Sequence, residues 1–231
     1  MTALIQTDNL CRYFYPSDEI VVKAVDGISI SIEPGEFTAI IGPSGSGKTT
    51  LLHLIGGLDK PTSGDVMLSG QNIAQMSSGE LSDFRRDHIG FVFQAYNLIP
   101  VLSAEENIEY VMLLQGADAA TRKKRVAKTL QQVGLSDYAD RRPNKLSGGQ
   151  QQRVAVARAM ASHPDIILAD EPTANLDSKT GIALLDVMKE LNETLGMTFV
   201  FSTHDEKIMK RATRLIHVVD GQIELDEKKS S

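Results

Sequence analysis

A single cysteine, Cys11, stands among the 231 residues. That excludes an intrachain disulfide and accords with a reducing compartment, where such a thiol reads as a small buried hydrophobe. No apolar run approaches the ~20 residues of a bilayer-spanning helix; "IILA" and "TFVF" stop at Asp170 and Ser202. Nothing in the sequence is therefore expected to cross a membrane. The opening "MTALIQTDNL" has no basic segment ahead of a long apolar one, so no secretory signal is visible and the cytosol is the expected compartment. Basic charge is not in excess either. A net charge of −6 and a pI near 5.4 disfavour a broad nucleic-acid surface, which needs clustered Lys and Arg, so no nucleic-acid partner is expected. Internal repeats, low-complexity segments and proline-rich linkers are missing, and only the polar tail "DEKKSS" reads as frayed. At this length, 42% hydrophobic content is enough for one substantial core with a smaller lobe attached.

Short β-branched runs alternate with longer helical patterns, which predicts an α/β fold with a mainly parallel core sheet. Its strands are "FTAIIG" (37–42), "IGFVFQ" (89–94), "DIILAD" (165–170), "TFVFSTH" (198–204) and "RLIHVV" (214–219). The segments "ALIQTDNLCRY", "VKAVDGISISI" and "GDVMLSG" alternate and carry turn residues, so they predict an antiparallel β layer beside that core. From about residue 95 strands give way to helical periodicity. "SAEENIEYVMLLQG" and "AATRKKRVAKTLQQVG" each end at a glycine suited to a helix C-terminus. One domain over 1–231, with a helical subdomain inserted over about 95–160, is the expected organisation.

"GPSGSGKTT" satisfies G-x-x-x-x-G-K-[ST] at Gly42, Gly47, Lys48 and Thr49. It follows an apolar strand and precedes a helical run, the context in which consecutive backbone N–H groups cradle phosphate. The candidate cradle is Gly42, Ser44, Gly45, Ser46, Gly47, Lys48, Thr49 and Thr50. Lys48 would reach the β- and γ-phosphates, and the Thr49 hydroxyl would ligate Mg²⁺. A bound nucleotide needs a further carboxylate for the metal, and "IILAD" ends in Asp170 with Glu171 behind it. Asp170 suits the metal; Glu171, entering the loop, suits polarising a water. The strand "TFVFSTH" delivers His204 to its C-terminal end, where ligands sit in open α/β sheets. No N-K-x-D guanine-reading sequence is present, since "PNKLS" lacks the acid, which sets a small GTPase aside.

A second glycine-rich stretch, "LSGGQ" (146–150), precedes the helical "QQRVAVARAM". Ser147, Gly148 and Gly149 offer a hydroxyl and open N–H groups at a helix start, a second anion site by local chemistry. The same residues also suit a plain N-cap and turn. This stretch, with Gln94 after "IGFVF", "LADEP" (168–172), "NLD" (175–177) and His204 in "STHD", resembles the ATP-binding-cassette ATPases over nearly the whole chain, motif by motif in order. The resemblance implies that Tyr13 of "CRYF" stacks on adenine, with Phe14 and Tyr15 beside it, and that Gln94 senses the γ-phosphate and the metal. It implies Glu171 as catalytic base and His204 at the γ-phosphate. It further implies that Ser147, Gly148, Gly149 and Gln150 meet ATP held by a second copy of the chain, arranged head to tail around two ATP, with Asp177 touching the opposite subunit.

With no spanning segment of its own, such an ATPase would serve a separate integral membrane permease from the cytoplasmic face. "LLHLIGGLDKPTSGDV", "RRPNKLSGGQQQRVAVARA" and "ADEPTANLD" resemble the subgroup serving lipoprotein release and macrolide-type efflux. With few residues after "HVVDGQIELDE", no C-terminal regulatory domain is expected. The alternative is a soluble cassette ATPase acting on ribosomes or DNA, whose two cassettes or long coiled-coil insertion this chain lacks. Tyr96, Leu98 and Ile99 read as exposed and fit for a partner helix, or else as the insert's own core. Arg122 to Arg125 with Lys128 read as a solvated helix face, with anionic lipid headgroups as a second option.

Overall fold

The computed structural model describes residues 3–17 and 19–229. Five strands form an antiparallel sheet: β1 (Ile5–Ser17), β2 (Ile20–Ile28), the two-residue β3 (Ser31–Ile32), β5 (Ser63–Leu68) and β6 (Gln71–Asn72). The core sheet has six, β4 (Phe37–Ile41), β7 (Ile89–Val92), β8 (Ile166–Asp170), β9 (Thr198–Ser202), β10 (Arg214–Val219) and β11 (Gln222–Lys228), in the order β11-β10-β4-β9-β8-β7. All its pairs are parallel except β10 with β11. The helices are α1 (Lys48–Ile55), α2 (Ser78–His88), α3 (Ala104–Leu114), α4 (Ala119–Gln132), α5 (Gly148–Ala161), α6 (Ser178–Leu195) and α7 (Glu206–Arg211).

Both faces of the core sheet are covered, which is why its strands are continuously apolar rather than alternating. Phe37, Ala39 and Ile41 of β4, Ile167 and Ala169 of β8, and Phe199 and Phe201 of β9 face helices α3 to α6. Ile40, Leu168 and Val200, one residue out of phase, face α1, α2 and the antiparallel sheet. Helix α1 thus lies between the two sheets, and Leu51, Leu52, Leu54 and Ile55 are all buried there. Phe37 anchors the helical side, with ring centroids 5.5 Å from Phe199 and 4.6 Å from Phe201.

Helices α3, α4 and α5 all lie between β7 and β8. Gly116 and Gly134 follow α3 and α4 at φ 73° and 69°, the left-handed stops their positions led us to expect. Among the described residues no helix is long and apolar enough to cross a membrane.

The C-terminal segment departs from expectation. Asp226 to Lys228 are not frayed but pair with Ile216 to Arg214 in β11. Charge holds them there. Arg214, 7% exposed at its side chain, donates from Nε and Nη2 to the two Asp226 oxygens at 2.7 Å and from Nη1 to Glu36. Burial alone would raise the Glu36 carboxyl, but Lys228, Thr38 and Arg214 outweigh it and hold the group below its ordinary value of 4.5.

Arg214→Leu removes the bidentate partner of Asp226 and leaves Glu36 with Lys228 and Thr38 alone, and should cost about 3 kcal/mol of unfolding free energy, read from urea denaturation. Because the folded value of Glu36 is depressed, its contribution is present above the ordinary carboxylate value and fades as the pH falls through the lower folded one. The stability gap between wild type and variant should therefore narrow in acid.

Candidate functional site

The register of β4, β9 and β8 sets the site. Ser202 of β9 faces Ile40 on one side and Asp170 on the other, so three C-terminal strand ends lie next to each other. The loop of residues 42–47 leaves β4 and feeds α1. A Cβ at Gly42 would fall 2.0 Å from the Val218 carbonyl oxygen and one at Gly47, at φ 103°, 2.0 Å from that of Ala24, so only glycine fits either position. Gly47 stands at the N-cap of α1 without a side-chain cap, so the first amides of that helix have no side-chain acceptor. Ser46 Oγ is buried without a hydrogen-bond partner. Lys48, 7% exposed, folds back to donate from Nζ to the carbonyls of Gly42 (2.9 Å) and Pro43 (2.7 Å). A buried ammonium, an orphaned hydroxyl and a left-handed glycine turn make a cradle built for anionic oxygen.

Thr49 Oγ1 donates to Asp170 Oδ1 at 2.9 Å and lies 3.4 Å from Ser202 Oγ. Glu171 then takes φ 44°, a left-handed conformation that a non-glycine residue adopts at some cost, while its N–H still bonds Ser202 O at 2.9 Å. This turn brings its carboxylate against the loop after β9. Oε1 lies 2.7 Å from His204 Nδ1, and Oε2 accepts from Thr203 Oγ1 at 3.1 Å. The Glu171 side chain is 17% exposed and that of His204 74%, so the pair runs from interior to surface. Thr173 Oγ1 to Asp205 Oδ2 (2.7 Å) ties the two loops once more.

Gln94 does not join Thr49 and Asp170 here. Its amide donates to Asn175 Oδ1 at 3.3 Å, and Asn175 returns a bond to the Gln94 carbonyl at 3.0 Å. Tyr13 is also engaged: its hydroxyl donates to Asp26, with Cys11 Sγ 3.6 Å from the same oxygen, and Lys23 Nζ lies 5.3 Å from its ring centre. Cys11 is buried as expected, though as a hydrogen-bonded thiol rather than a bare hydrophobe, since the Gly27 N–H also donates to it at 3.2 Å. Phe14 and Tyr15, 40% and 63% exposed, carry the freer aromatic surface of β1.

Ser147 caps α5 in a reciprocal box, Ser147 Oγ accepting from the Gln150 N–H and Gln150 Oε1 from the Ser147 N–H. A Cβ at Gly148 would lie 2.8 Å from the Tyr96 hydroxyl, and one at Gly149 2.1 Å from Thr180 Cγ2. Thr180 is in turn bonded to Asp177, the N-cap of α6, whose carboxyl is lowered chiefly by that hydroxyl. The glycine pair therefore has a packing reason inside one chain. Among the described residues no hydrogen bond joins Ser147 or Gln150 to the 42–49 loop.

Residues 25–174 match the ABC transporter family. The chain belongs to that family. An uncharacterized ABC transporter ATP-binding protein of Thermotoga maritima is 48% identical over 215 residues, covering 93% of this chain and 92% of that protein. The macrolide export ATP-binding/permease protein MacB of Burkholderia pseudomallei is 46% identical over 220 residues, 95% of this chain but 33% of MacB, so the chain spans about a third of that relative. The solved dimer of MJ0796, a cassette of Methanocaldococcus jannaschii, superposes with TM-score 0.89 at 44% identity over 98% of this chain and 99% of its own. Its post-hydrolysis dimer with ADP and Pi matches with the same TM-score at 43% identity. The chain is thus an ABC ATPase domain with the cassette fold.

Sequence reasoning missed the residues that lock this cassette together. Gln152, fully buried on α5, donates to the carbonyls of Phe93 (3.2 Å) and Pro172 (2.9 Å). Arg158, six residues further along the same helix, holds the carbonyls of Tyr96 and Asn97, whose φ values are 60° and 49°. Both lie in the helical stretch "QQRVAVARAM", but the sequence assigned them no role, and only the fold brings them to those carbonyls. Tyr96, Leu98 and Ile99 are half-buried rather than exposed, with Leu98 packed on the main core; Val101, 68% exposed, is the apolar residue that faces solvent.

Gly149→Ala should destabilise the cassette by about 1–3 kcal/mol through overpacking on Thr180. Thr180→Ser, which removes the clashing methyl and keeps the hydroxyl for Asp177, should restore most of that in the double variant. Denaturation midpoints of the four proteins check it, and an unaltered Gly149→Ala protein would remove the packing explanation.

Proposed function

We propose that this chain is the ATP-hydrolysing subunit of a membrane ABC transporter, working on the cytoplasmic face of the membrane. In this reading it closes head to tail with a second copy around two ATP and drives a separate integral membrane permease in export or lipoprotein extraction. The carrying observation is the convergence of Lys48, Thr49, Asp170, Glu171 and His204 at three adjacent strand ends.

The amides of Ser44 to Thr50 and the orphaned Ser46 hydroxyl receive the phosphates, and Lys48 turns its ammonium from loop carbonyls to the β- and γ-oxygens. Thr49 and Asp170 supply oxygen donors of the kind Mg²⁺ takes, few in number because that ion keeps waters and phosphate ligands. Gln94 completes that set on leaving Asn175. Mg²⁺, when bound, offsets charge on the β- and γ-phosphates. Glu171, held by His204 and Thr203, accepts the proton of the attacking water. His204 spends Nδ1 on Glu171, which leaves Nε2 for the γ-phosphate. On β1 the aromatic run of Tyr13, Phe14 and Tyr15 provides the adenine platform, the exposed rings supplementing the engaged Tyr13.

Ser147, Gly148, Gly149 and Gln150 form the other half of the site, offered to ATP on the second copy, and Asp177 links the two subunits. The dimeric MJ0796 cassettes support this arrangement. A permease partner is supported by MacB, an ATP-binding/permease protein three times the length of the shared part. ATP bridging two copies stabilises the closed dimer only while the γ-phosphate is in place, so hydrolysis opens it.

Glu171→Gln should lower hydrolysis by a factor of about 10²–10⁴ while retaining ATP binding, and should elute as a dimer in MgATP. Ser147→Arg should bind ATP and stay monomeric. From solubilised host membranes the trapped Glu171→Gln protein should copurify with an integral membrane protein in a two-to-two assembly. Recovery with ribosomal or DNA-associated partners alone would replace the transporter reading with that of a soluble cassette ATPase.

A further inference from the structure

We propose that a basic cavity beside α4, at the end of the core sheet opposite the nucleotide loops, binds an anionic amphiphile with a phosphate-type head and a short apolar body. The cavity, about 610 Å³, is of small-molecule size. One wall is α4, whose Thr121, Lys124, Arg125 and Lys128 recur at helical spacing and all line it. The other wall is formed by the turns that enter β8 and β9, through Pro164 and Met197, with Met160 from the end of α5. Cations thus face an apolar surface across the space, the division that a charged head and a hydrocarbon body require.

The charge is uncompensated. Among the described residues none of Lys124, Arg125 and Lys128 is ion-paired to an acid, whereas Arg122, one step round the helix, is paired with Glu109 at 2.8 Å. Arg125 donates only to the Ala161 carbonyl, at 3.1 Å. Asp165 is the single acid lining the cavity, and its Oδ2 is already engaged by His88 Nδ1 at 2.8 Å and Ser69 Oγ at 2.5 Å. Lys124 and Lys128 also sit four residues apart on one helix, an arrangement that works against α4 unless an anion intervenes. In a chain of net charge −6, such a concentration of positive charge over an apolar wall runs against the average.

His163, at φ 55° on the cavity wall, reports the same field. Burial, then repulsion by Arg125 and Lys128, holds its imidazole below the ordinary value. The groups around it are Lys124, Arg125 and Lys128 of α4 and Asp165 of its own turn. An anion settling among the cations reverses their repulsion and raises the imidazole, a signal local to the cavity and separate from ATP hydrolysis.

The test is a titration of the intact chain with dihexanoyl phosphatidate below its micellar concentration, followed by the His163 ring proton resonances, which His163→Gln assigns. Saturable binding with an upward shift of the His163 midpoint is expected, with inorganic phosphate alone binding more weakly. Lys124→Gln/Lys128→Gln, both exposed positions, should fold normally and weaken binding about tenfold or more. Lys123→Gln, off the cavity, should leave it unchanged. Absence of a saturable shift, an equal shift in the double variant, or an equal loss in Lys123→Gln would overturn the site. Cosedimentation with phosphatidylglycerol vesicles, abolished in the double variant, would assign the head group to a bilayer; soluble binding without it would assign a free phosphorylated amphiphile. Either result upholds the cavity as the binding site.

Discussion

Everything chemical in this cassette depends on one rung of the core sheet, where Ser202 of β9 pairs with Ile40 of β4 and Asp170 of β8. The phosphate loop starts two residues beyond that rung, Glu171 one beyond it and His204 two beyond it. Parallel pairing makes the strand ends coincide; a slip of one residue in β8 would exchange its buried faces and carry Asp170 away from Thr49. The same slip in β4 or β9 would turn Phe37, or Phe199 and Phe201, each fully buried on the helical side of the sheet, onto the opposite face.

From that rung the ties run outward through backbone carbonyls rather than ion pairs. Gln152 joins α5 to the segment after β7 and the loop after β8, and Arg158 holds the left-handed residues that follow Gln94. Burial without an acidic partner pulls the Arg158 guanidinium below its ordinary value, yet it remains the donor to two carbonyls that otherwise lack partners in a turn. Helix α5 thus carries the "LSGGQ" stretch at its start and grips the nucleotide-side loops along its length.

The glycine pair 148–149 shows how one feature serves two demands. Inside the chain Gly149 admits Thr180 and so seats the Asp177 cap of α6 beside α5. Toward a second copy, Ser147 is exposed and Gly148 and Gln150 are half-buried, while Gly149 is buried; the Ser147 hydroxyl, which accepts from the Gln150 N–H, is the group of this stretch that reaches solvent. Packing requires Gly149; the proposed interface uses the exposed Ser147 and the half-buried Gly148 beside it.

Much of this was legible in the sequence by itself. The continuous apolar runs, the phosphate-loop spacing, the Asp170–Glu171 pair and the glycine stops of α3 and α4 are local, and local sterics and hydrophobic periodicity determine them. Asp226 to Lys228 read as frayed because two acids and a lysine look solvated until Arg214, twelve residues before Asp226, and Glu36, far earlier, come together around them; Ser230 and Ser231 of the same tail lie outside the described residues. For Tyr96, Leu98 and Ile99 the sequence left an exposed face and a core role open for the same reason: only packing in the fold leaves them half-buried. The basic run of α4 was legible as charge, but not the cavity it lines, and Gln152 and Arg158 lay in a helical stretch without a readable role, because their partners are carbonyls and turns distant in sequence. Residue order determined which chemistry the chain can hold, since dihedral limits and side-chain functional groups act within a few residues. Tertiary structure alone decided which of those groups meet, because hydrogen bonds and burial act through space.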